Sequence, residues 1–296
     1  MPMAQNVFGR VRVIPGENGA RFPFCHSIYI DGAGVLIDPG AGREALQSLK
    51  DGPGIREVWL SHWHMDHIRF LDMLPGVPLS VSESDARFLS GYDAYVKGTG
   101  IVLKEEAVLL RRLYTEMLPF LPLQPDRFLS DGDVLRYDGC SVEVIGTPGH
   151  TAGHLSFYFR EDRVLFMGDY DLSRFGPSYL WADGNIELVR SSIDRLRKIP
   201  ARVWLTSHGD GMFEADPGEL WDEYAAVIDR RNDEILELVS EARTLDTITD
   251  AGLIFGHRLS EEPAWRILER NAVAKHLDYL VDRGEIVYKD GKYEAA

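Results

Sequence analysis

Residues 61–67 read Ser61-His62-Trp63-His64-Met65-Asp66-His67, and this segment holds three of the nine histidines of the chain. Two imidazoles separated by one residue project to the same side of an extended segment. Asp66 and His67 can turn toward a second point as the chain enters a helix. Imidazole and carboxylate bind zinc, iron or manganese, whereas thiolate-rich structural zinc sites need more cysteines than the two present. The segment therefore predicts a metal site, and a histidine-rich loop without metal is the weaker alternative.

Four apolar segments each end shortly before a residue that can bind a metal. Loops at strand ends are where α/β scaffolds bring distant functional groups together. A single histidine after a strand is more often structural, but four coordinated cases favour one shared site. The four pairs are residues 58–60 before His62, 142–145 before His150, 164–167 before Asp169, and 203–205 before His208.

The remaining pattern predicts a mixed α/β sandwich. Predicted strands cover residues 7–14, 24–30, 34–38, 58–60, 142–145, 155–159, 164–167 and 203–205. Predicted helices cover residues 43–50, 186–198, 220–242 and 272–283, with a further helical region from 84 to about 118. Two short strands near 286–288 and 293 follow the last helices, which is the winged-helix pattern. We expect a catalytic domain over residues 1–216, with a helical insertion at about 84–128, and a small C-terminal subdomain over 217–296.

The motifs together resemble those of the metallo-β-lactamase-fold hydrolases. The resemblance runs from about Val7 to His208, and it implies an αββα sandwich with a two-metal site at one edge. The matching elements are the H-x-H-x-D-H pattern of residues 62–67, Thr147-Pro148-Gly149-His150-Thr151, Gly168-Asp169 after a strand, and His208 after another strand.

The resemblance implies seven metal ligands in two groups that share one carboxylate. His62, His64 and His150 bind the first metal, Asp66, His67 and His208 bind the second, and Asp169 bridges the two. Each metal then has four protein ligands, which leaves room for a bridging hydroxide. Two metals about 3.5–4 Å apart lower the pKa of that water and stabilise both oxygens of the displacement. Asp66 is also the predicted catalytic residue, because its second oxygen can orient the nucleophile or carry a proton. Two divalent ions are expected, with zinc favoured over iron or manganese.

Three further residues are predicted to lie close to the metals. His154 is expected to fix a ligand through a hydrogen bond, and a satisfied structural histidine is the alternative. Arg174 and Tyr179 follow the bridging carboxylate in the chain and are the polar groups there best able to contact a substrate. The helical insertion at 84–128 is expected to form a wall or lid of the substrate pocket.

Departures from the family patterns narrow the subgroup. Many thioesterase-like members continue the first motif with paired glycines, whereas Ile68-Arg69-Phe70 follows His67 here. The basic residues that contact glutathione in glyoxalase II-type enzymes have no counterpart that the sequence identifies. Asp169, where some zinc lactamases use cysteine, argues against those enzymes. The complete ligand set argues against the mononuclear iron persulfide dioxygenases.

The composition is that of an acidic globular protein of 296 residues, with 47 acidic and 32 basic side chains and a net charge of −15. This charge argues against a general nucleic-acid or anionic-membrane surface. No apolar segment approaches the roughly 20 residues of a membrane helix, and the first fifteen residues lack the apolar block of a secretory signal. We therefore expect a cytoplasmic protein, with a homodimer as one option for its assembly.

The winged-helix pattern also resembles a lactamase-like subgroup in which some members cleave RNA. Residues 241–296 carry eight Lys and Arg against eleven Asp and Glu, a net charge of −3. Binding to a phosphate backbone needs a positive surface. The C-terminal region is therefore expected to wall the active site or mediate dimerisation, and not to bind nucleic acid.

The predicted activity is hydrolysis of an ester-like bond, preferably a thioester or a lactone, in a small metabolite by a metal-bridging hydroxide. One alternative is a phosphodiesterase or endoribonuclease that uses the same metals, which needs a basic groove. The other is a non-catalytic ligand-binding or regulatory protein, which needs a broken ligand set. The sequence shows neither feature.

Overall fold

A computed structural model describes residues 6–101, 104–256 and 263–296, and its centre is a pair of β-sheets. In the first sheet the strands lie in chain order, antiparallel from β1 to β4 and parallel from β4 to β7. Its seven strands are β1 Val7–Phe8, β2 Val11–Ile14, β3 Ser27–Ile30, β4 Val35–Ile37, β5 Glu57–Trp59, β6 Leu79–Val81 and β7 Arg127–Phe128.

The second sheet has the spatial order β13-β12-β11-β10-β9-β8. Neighbouring strands are antiparallel except β11 and β12, which are parallel. Its six strands are β8 Val134–Tyr137, β9 Cys140–Gly146, β10 Leu155–Phe159, β11 Val164–Phe166, β12 Val203–Leu205 and β13 Met212–Phe213.

Helices cover the outer faces of both sheets. The helices of the described ranges, including those of the C-terminal region, are α1 Glu17–Ala20, α2 Arg43–Asp51, α3 Met65–Ile68, α4 Glu83–Ala86, α5 Tyr92–Gly98, α6 Lys104–Met117, α7 Ile186–Leu196, α8 Leu220–Leu238, α9 Leu245–Thr249 and α10 Pro263–Asp282. Short 3-10 turns lie at Leu71–Met73 and Arg87–Ser90. None of the helices in the described ranges is both long and apolar enough to span a membrane.

The core between the sheets follows from the two-residue alternation of the strands. In β9, Cys140, Val142 and Val144 are buried in a cluster shared by both sheets, whereas Ser141 and Glu143 turn toward the outer face. Other side chains of the sheets pack outward, against the helices on either side. Four layers therefore stack as helices, sheet, sheet and helices, and the predicted αββα sandwich is confirmed.

The strands and helices differ from the predicted bounds at identifiable places. The predicted strand 7–14 is a tight hairpin of β1 and β2, because Gly9 turns the chain with a φ of 62°. The predicted helix 220–242 ends at Leu238, because the backbone of Arg243 pairs with that of Tyr293. The predicted insertion at 84–128 is helical only as far as Met117, and its last residues form β7 in the first sheet. Residues 102 and 103 of this insertion lie outside the described ranges.

The C-terminal region consists of helices followed by a hairpin of β14 (Ile286–Lys289) and β15 (Lys292–Ala295). It has a small apolar cluster of its own, to which α8, α9, α10 and β14 contribute. The last helix begins at Pro263, nine residues before the predicted start at 272, and a first-turn proline suits a helix because its missing N–H needs no partner there.

Candidate metal centre

Loops from both sheets meet at one end of the sandwich. His62 and His64 follow β5 of the first sheet, and Asp66 and His67 lie in the one-turn helix α3 that comes next. The other three residues follow strands of the second sheet: His150 comes after β9, Asp169 after β11 and His208 after β12. All seven residues that the sequence singled out as ligands therefore lie in one cluster.

The first group consists of His62, His64, His150 and Asp169, whose ligand atoms all lie within 4.8 Å of one another. Nε2 of His150 lies 3.2 Å from Nε2 of His62 and 2.9 Å from Nδ1 of His64. Oδ2 of Asp169 lies 3.2 Å from the same nitrogen of His150. Three imidazole nitrogens and one carboxylate oxygen thus face a common point.

The second group consists of Asp66, His67 and His208. Nε2 of His208 lies 3.3 Å from Oδ2 of Asp66 and 3.4 Å from Oδ1 of Asp169. Nε2 of His67 lies 3.1 Å from the same oxygen of Asp169. The two oxygens of Asp169 therefore face different groups, Oδ2 the first and Oδ1 the second.

The chemistry of these donors fits two divalent cations. Nε2 of His67 and Oδ1 of Asp169 are buried and lie 3.1 Å apart, but neither makes a hydrogen bond of normal geometry in the described structure. Burying such atoms unpaired is costly, so they call for a ligand that the protein itself does not supply. Imidazole nitrogen and carboxylate oxygen in groups of four are a usual donor set for zinc, iron and manganese.

Asp38 holds two of these histidines in position, one directly and one through Ser61, and the sequence analysis missed it. Its Oδ1 accepts a hydrogen bond from the Ser61 backbone N–H at 2.7 Å, and its Oδ2 accepts one from the Ser61 hydroxyl at 2.6 Å. Oδ2 also lies 2.9 Å from Nδ1 of His67. The Ser61 hydroxyl in turn lies 2.9 Å from Nδ1 of His62. This carboxylate therefore orients one histidine of each group, as outer partners of metal-binding histidines do.

Backbone carbonyls orient two more histidines. Nδ1 of His150 lies 2.9 Å from the carbonyl oxygen of Ser178, and Nδ1 of His208 lies 2.7 Å from that of Ala20. A carbonyl oxygen can only accept, so each Nδ1 carries a hydrogen, and in the neutral ring that binds a metal each Nε2 keeps a free lone pair toward the cluster.

His154 holds the backbone of Asp169 in position. Its Nε2 accepts a hydrogen bond of 3.3 Å from the backbone N–H of Asp169, and its Nδ1 lies 2.8 Å from the hydroxyl of Thr147. The close fit needs a glycine at position 168, where an added Cβ would lie 2.5 Å from Nε2 of His154 at a φ of 61°. His154 thus acts through a hydrogen bond on the backbone of Asp169.

Asp85 is a second buried carboxylate that the sequence analysis missed. It accepts hydrogen bonds from the backbone N–H groups of Trp63 and Gly153, at 3.2 and 2.8 Å, and from the Thr151 hydroxyl at 2.8 Å. Burial, together with the nearby Asp183 carboxylate, raises the pKa of Asp85 to about 7. This side chain ties the loop of the first histidine motif to the loop that follows His150.

Burial keeps several of the histidines neutral, which is the form that binds a metal. It lowers the pKa values of His62, His64 and His154 well below their usual range. Burial acts in the same direction on His208, but the carboxylates of Asp169 and Asp66 outweigh it and raise that pKa.

The predicted pocket residues Arg174 and Tyr179 do not line the cavity above the metal centre. Arg174 points to solvent. Tyr179 is buried, and its hydroxyl lies 2.7 Å from Nε2 of His276 and accepts a hydrogen bond of 2.8 Å from the Arg231 guanidinium. Neither side chain is thus among those that line this cavity, and the position of both residues after Asp169 in the chain does not by itself place them there.

Comparison with known proteins identifies a family and several relatives of similar sequence. The family model of the metallo-beta-lactamase superfamily matches residues 19–208. A hydroxyacylglutathione hydrolase of Methylococcus capsulatus is 40% identical over 177 residues, which cover 58% of this chain and 55% of the relative. An atrochrysone carboxyl ACP thioesterase of Paecilomyces divaricatus is 24% identical over 235 residues, which cover 76% of this chain and 63% of the relative.

A solved structure shares the fold over almost the full length. The metallo-beta-lactamase family protein of Thermus thermophilus superimposes with a TM-score of 0.73 at 23% identity, over 97% of this chain and 99% of that chain. The curated relatives are matched over a smaller share of their length: the first three are covered to 65, 60 and 54%.

Proposed function

Because the chain belongs to the metallo-beta-lactamase superfamily, we propose that it is a metal-dependent hydrolase with two divalent ions, preferably zinc, that cleaves a thioester or lactone. One observation carries the proposal. The Asp169 carboxylate lies between two groups of histidines, with Oδ2 3.2 Å from His150 and Oδ1 3.1 Å from His67. A carboxylate in this position suits two metals with one shared ligand, in agreement with the seven ligands that the sequence indicated.

The protein residues have separate tasks in this reaction. When bound, two metals supply an activated water and stabilise the charge that develops on the carbonyl oxygen. The histidines hold the metals and exclude bulk water from one side of the reacting carbonyl. Asp66 belongs to the second group, with Oδ2 3.3 Å from Nε2 of His208, and it also lines the cavity. We assign to Asp66 the removal of a proton from the nucleophile and its delivery to the leaving group.

Thioester or lactone cleavage is favoured over phosphodiester cleavage for two reasons. Two relatives are named a hydroxyacylglutathione hydrolase and an ACP thioesterase. The chain also has a net charge of −15, which disfavours a polyanionic substrate. A panel of thioesters, lactones, β-lactams and phosphodiesters, assayed with zinc-, iron- and manganese-loaded protein, tests the proposal. Turnover of thioesters or lactones alone supports it, and turnover of phosphodiesters alone overturns it.

The metal content is the first testable quantity. We expect close to two transition-metal ions per chain after loading with zinc, because seven ligands are available in two groups. Elemental analysis of dialysed protein gives the ratio, and an Asp169→Ala variant that retains fewer ions is the matched control. A wild-type ratio of one or zero after loading contradicts the two-metal site.

The C-terminal region should not bind nucleic acid. Several of its basic side chains are already engaged with acidic neighbours: Arg243 with Glu241, Arg266 with Asp250, Arg270 with Asp246 and Arg283 with Glu285. Lys275 donates hydrogen bonds to two backbone carbonyls, those of Ala182 and Gly184. We therefore expect no salt-dependent binding of RNA or DNA at micromolar protein in a fluorescence-anisotropy titration. Tight binding that weakens steeply with salt and is lost without residues 241–296 contradicts this expectation and favours a ribonuclease.

We propose residues 1–216 as the catalytic domain and 217–296 as a subdomain that completes it. Leu180 packs in one cluster with Ile254 and Ala272 of the C-terminal region, and Tyr179 is hydrogen-bonded to His276. Truncation after Asp216 should therefore expose apolar surface and cause aggregation or a change in assembly. Light scattering and dye binding measure this, with the full chain as the control. A monodisperse truncated protein with an unchanged Tm contradicts the proposed dependence.

A further inference from the structure

The metal centre opens into one large cavity with apolar walls. The cavity has a volume of about 770 Å³, and His64, Asp66, His150, Asp169 and His208 lie at its base. This volume is in the range of pockets that enclose a ligand of drug size. Two helices from different parts of the chain supply much of the wall: Leu110, Leu113 and Met117 of α6, and Trp265, Ile267 and Leu268 of α10.

The fold leaves large apolar side chains exposed around this cavity. Phe22, Leu113, Phe175 and Trp265 all line it, and each is more than a third exposed. The rings of Phe175 and Phe255 stack with centroids 5.6 Å apart, and Phe255 lies 5.0 Å from the Trp265 ring. Exposing so much apolar surface at one place is unfavourable unless a ligand covers it.

The described lining of the cavity offers few basic side chains to a negatively charged group. Among the lining side chains that the structure describes, Arg21 is the only Lys or Arg. Away from the metal-ligand groups, the hydroxyl and carboxylate side chains of the described lining are those of Thr99, Tyr114, Asp171, Ser173 and Ser178, and one of these is itself acidic. A substrate that extended several carboxylates or phosphates along these walls would bury charges without partners, which is costly.

We infer that the substrate carries a bulky apolar acyl group, a long chain or a ring system, that lies between α6 and α10 with its carbonyl at the metal centre. The inference rests on the proposed hydrolase function and narrows its substrate class. In the reaction, water oxygen bonds to the acyl carbon and the bond from that carbon to sulfur or oxygen breaks. One proton of the water passes to the leaving thiol or alcohol, and the acid product releases the other.

A series of thioesters with one leaving group and acyl chains of increasing length tests the inference. Each methylene buried in an apolar site contributes about 0.8 kcal/mol, or about fourfold. We therefore expect kcat/KM to rise about fourfold per methylene until the cavity is filled. A series with a terminal carboxylate on the acyl chain should be poorer at every length. Flat or falling values along the apolar series, or a preference for the carboxylate series, overturn the inference and leave the hydrolase function intact.

Two leucines of α6 provide a matched pair of variants. Leu113 lines the cavity and is 40% exposed, whereas Leu109, one turn earlier, does not line it and is 58% exposed. Because both side chains are half-exposed, glutamine at either position should leave the fold intact. We expect Leu113→Gln to lower kcat/KM about tenfold for long acyl chains and to have a much smaller effect on the acetyl thioester. Leu109→Gln should affect neither substrate, and equal effects of the two variants contradict the assignment of this wall.

A binding measurement separates this inference from the proposed reaction. Amide analogues of the long-chain thioesters are not expected to turn over, so calorimetry with them reports the cavity alone. Affinity should increase with chain length, with a negative heat-capacity change, and should fall about tenfold in Leu113→Gln. If the amide analogues bind in this way but none of the thioesters is hydrolysed, the hydrolase proposal is refuted and the apolar site is kept. Turnover of short thioesters without length-dependent binding refutes the apolar site and keeps the hydrolase.

Discussion

Asp66→Asn should lower kcat by about 10²–10⁴-fold, the usual contribution of a general acid or base. The substitution preserves the size of the side chain and one oxygen toward His208, which lies 3.3 Å from Oδ2. It removes the negative charge and the ability to accept a proton beside the nucleophile. We therefore expect the loss in kcat with KM changed much less and with both metals retained. Steady-state kinetics together with elemental analysis of the same preparation measure these quantities.

Asp171→Asn is the matched control for this variant. Asp171 also lines the cavity but belongs to neither group of metal-binding side chains. Its carboxylate accepts a hydrogen bond from the Ser173 backbone N–H at 3.0 Å, which an amide oxygen can also accept. A comparable loss in both variants points to a general effect of charge in the cavity. Near-normal turnover of Asp66→Asn with both metals bound shows that another group moves the proton.

Asp38→Ala should destabilise the metal-free protein by about 3–5 kcal/mol, the usual cost of removing one partner of a buried charged pair. Asp38 is fully buried, and its two oxygens interact with the Ser61 backbone, the Ser61 hydroxyl and Nδ1 of His67. Alanine removes the carboxylate partner of all three groups, and the Ser61 hydroxyl is left only with the histidine rings beside it. Chemical denaturation followed by fluorescence measures the loss, and metal affinity should fall about 10–100-fold.

Asp31→Ala is the control variant, because the Asp31 carboxylate also forms an ion pair on the first sheet. It lies at the surface, 2.7 Å from the Arg12 guanidinium, and exposed pairs of this kind contribute about 0–1 kcal/mol. A loss in Asp38→Ala no larger than that in Asp31→Ala contradicts the role assigned to the buried carboxylate.

The predicted ligands converge because each of the four segments that carry them follows an apolar strand, a position that the sequence reveals. Asp38 follows the same rule, since it comes one residue after β4. The predicted strand 34–38 included Asp38, so the rule did not single it out from the sequence. Asp85 carries no such local signal. Its partners lie 22 to 68 residues away, and only the packed structure shows that its carboxylate joins two loops.

Side-chain direction was the least predictable property of the site. Arg174 and Tyr179 lie close to Asp169 in sequence, yet one points to solvent and the other to His276. The direction of a side chain in a loop depends on partners elsewhere in the chain. For Tyr179 those partners are Arg231 on α8 and His276 on α10. The apolar cavity has the same origin, because its wall combines α6 with residues about 150 positions later. The periodicity of each helix predicts an apolar face, but not which surface the face completes.

Both groups at the metal centre draw donors from loops of the two sheets. His62 and His64 belong to the first sheet and His150 and Asp169 to the second, and the other group is divided in the same way. An ion bound to either group would thus cross-link the two halves of the sandwich. Such a site can form only after both halves have folded together. By mass action, an ion that binds only the native state at 100 times its Kd adds about 2.7 kcal/mol to the free energy of unfolding. We therefore expect the thermal stability of this protein to rise with the concentration of free metal around it.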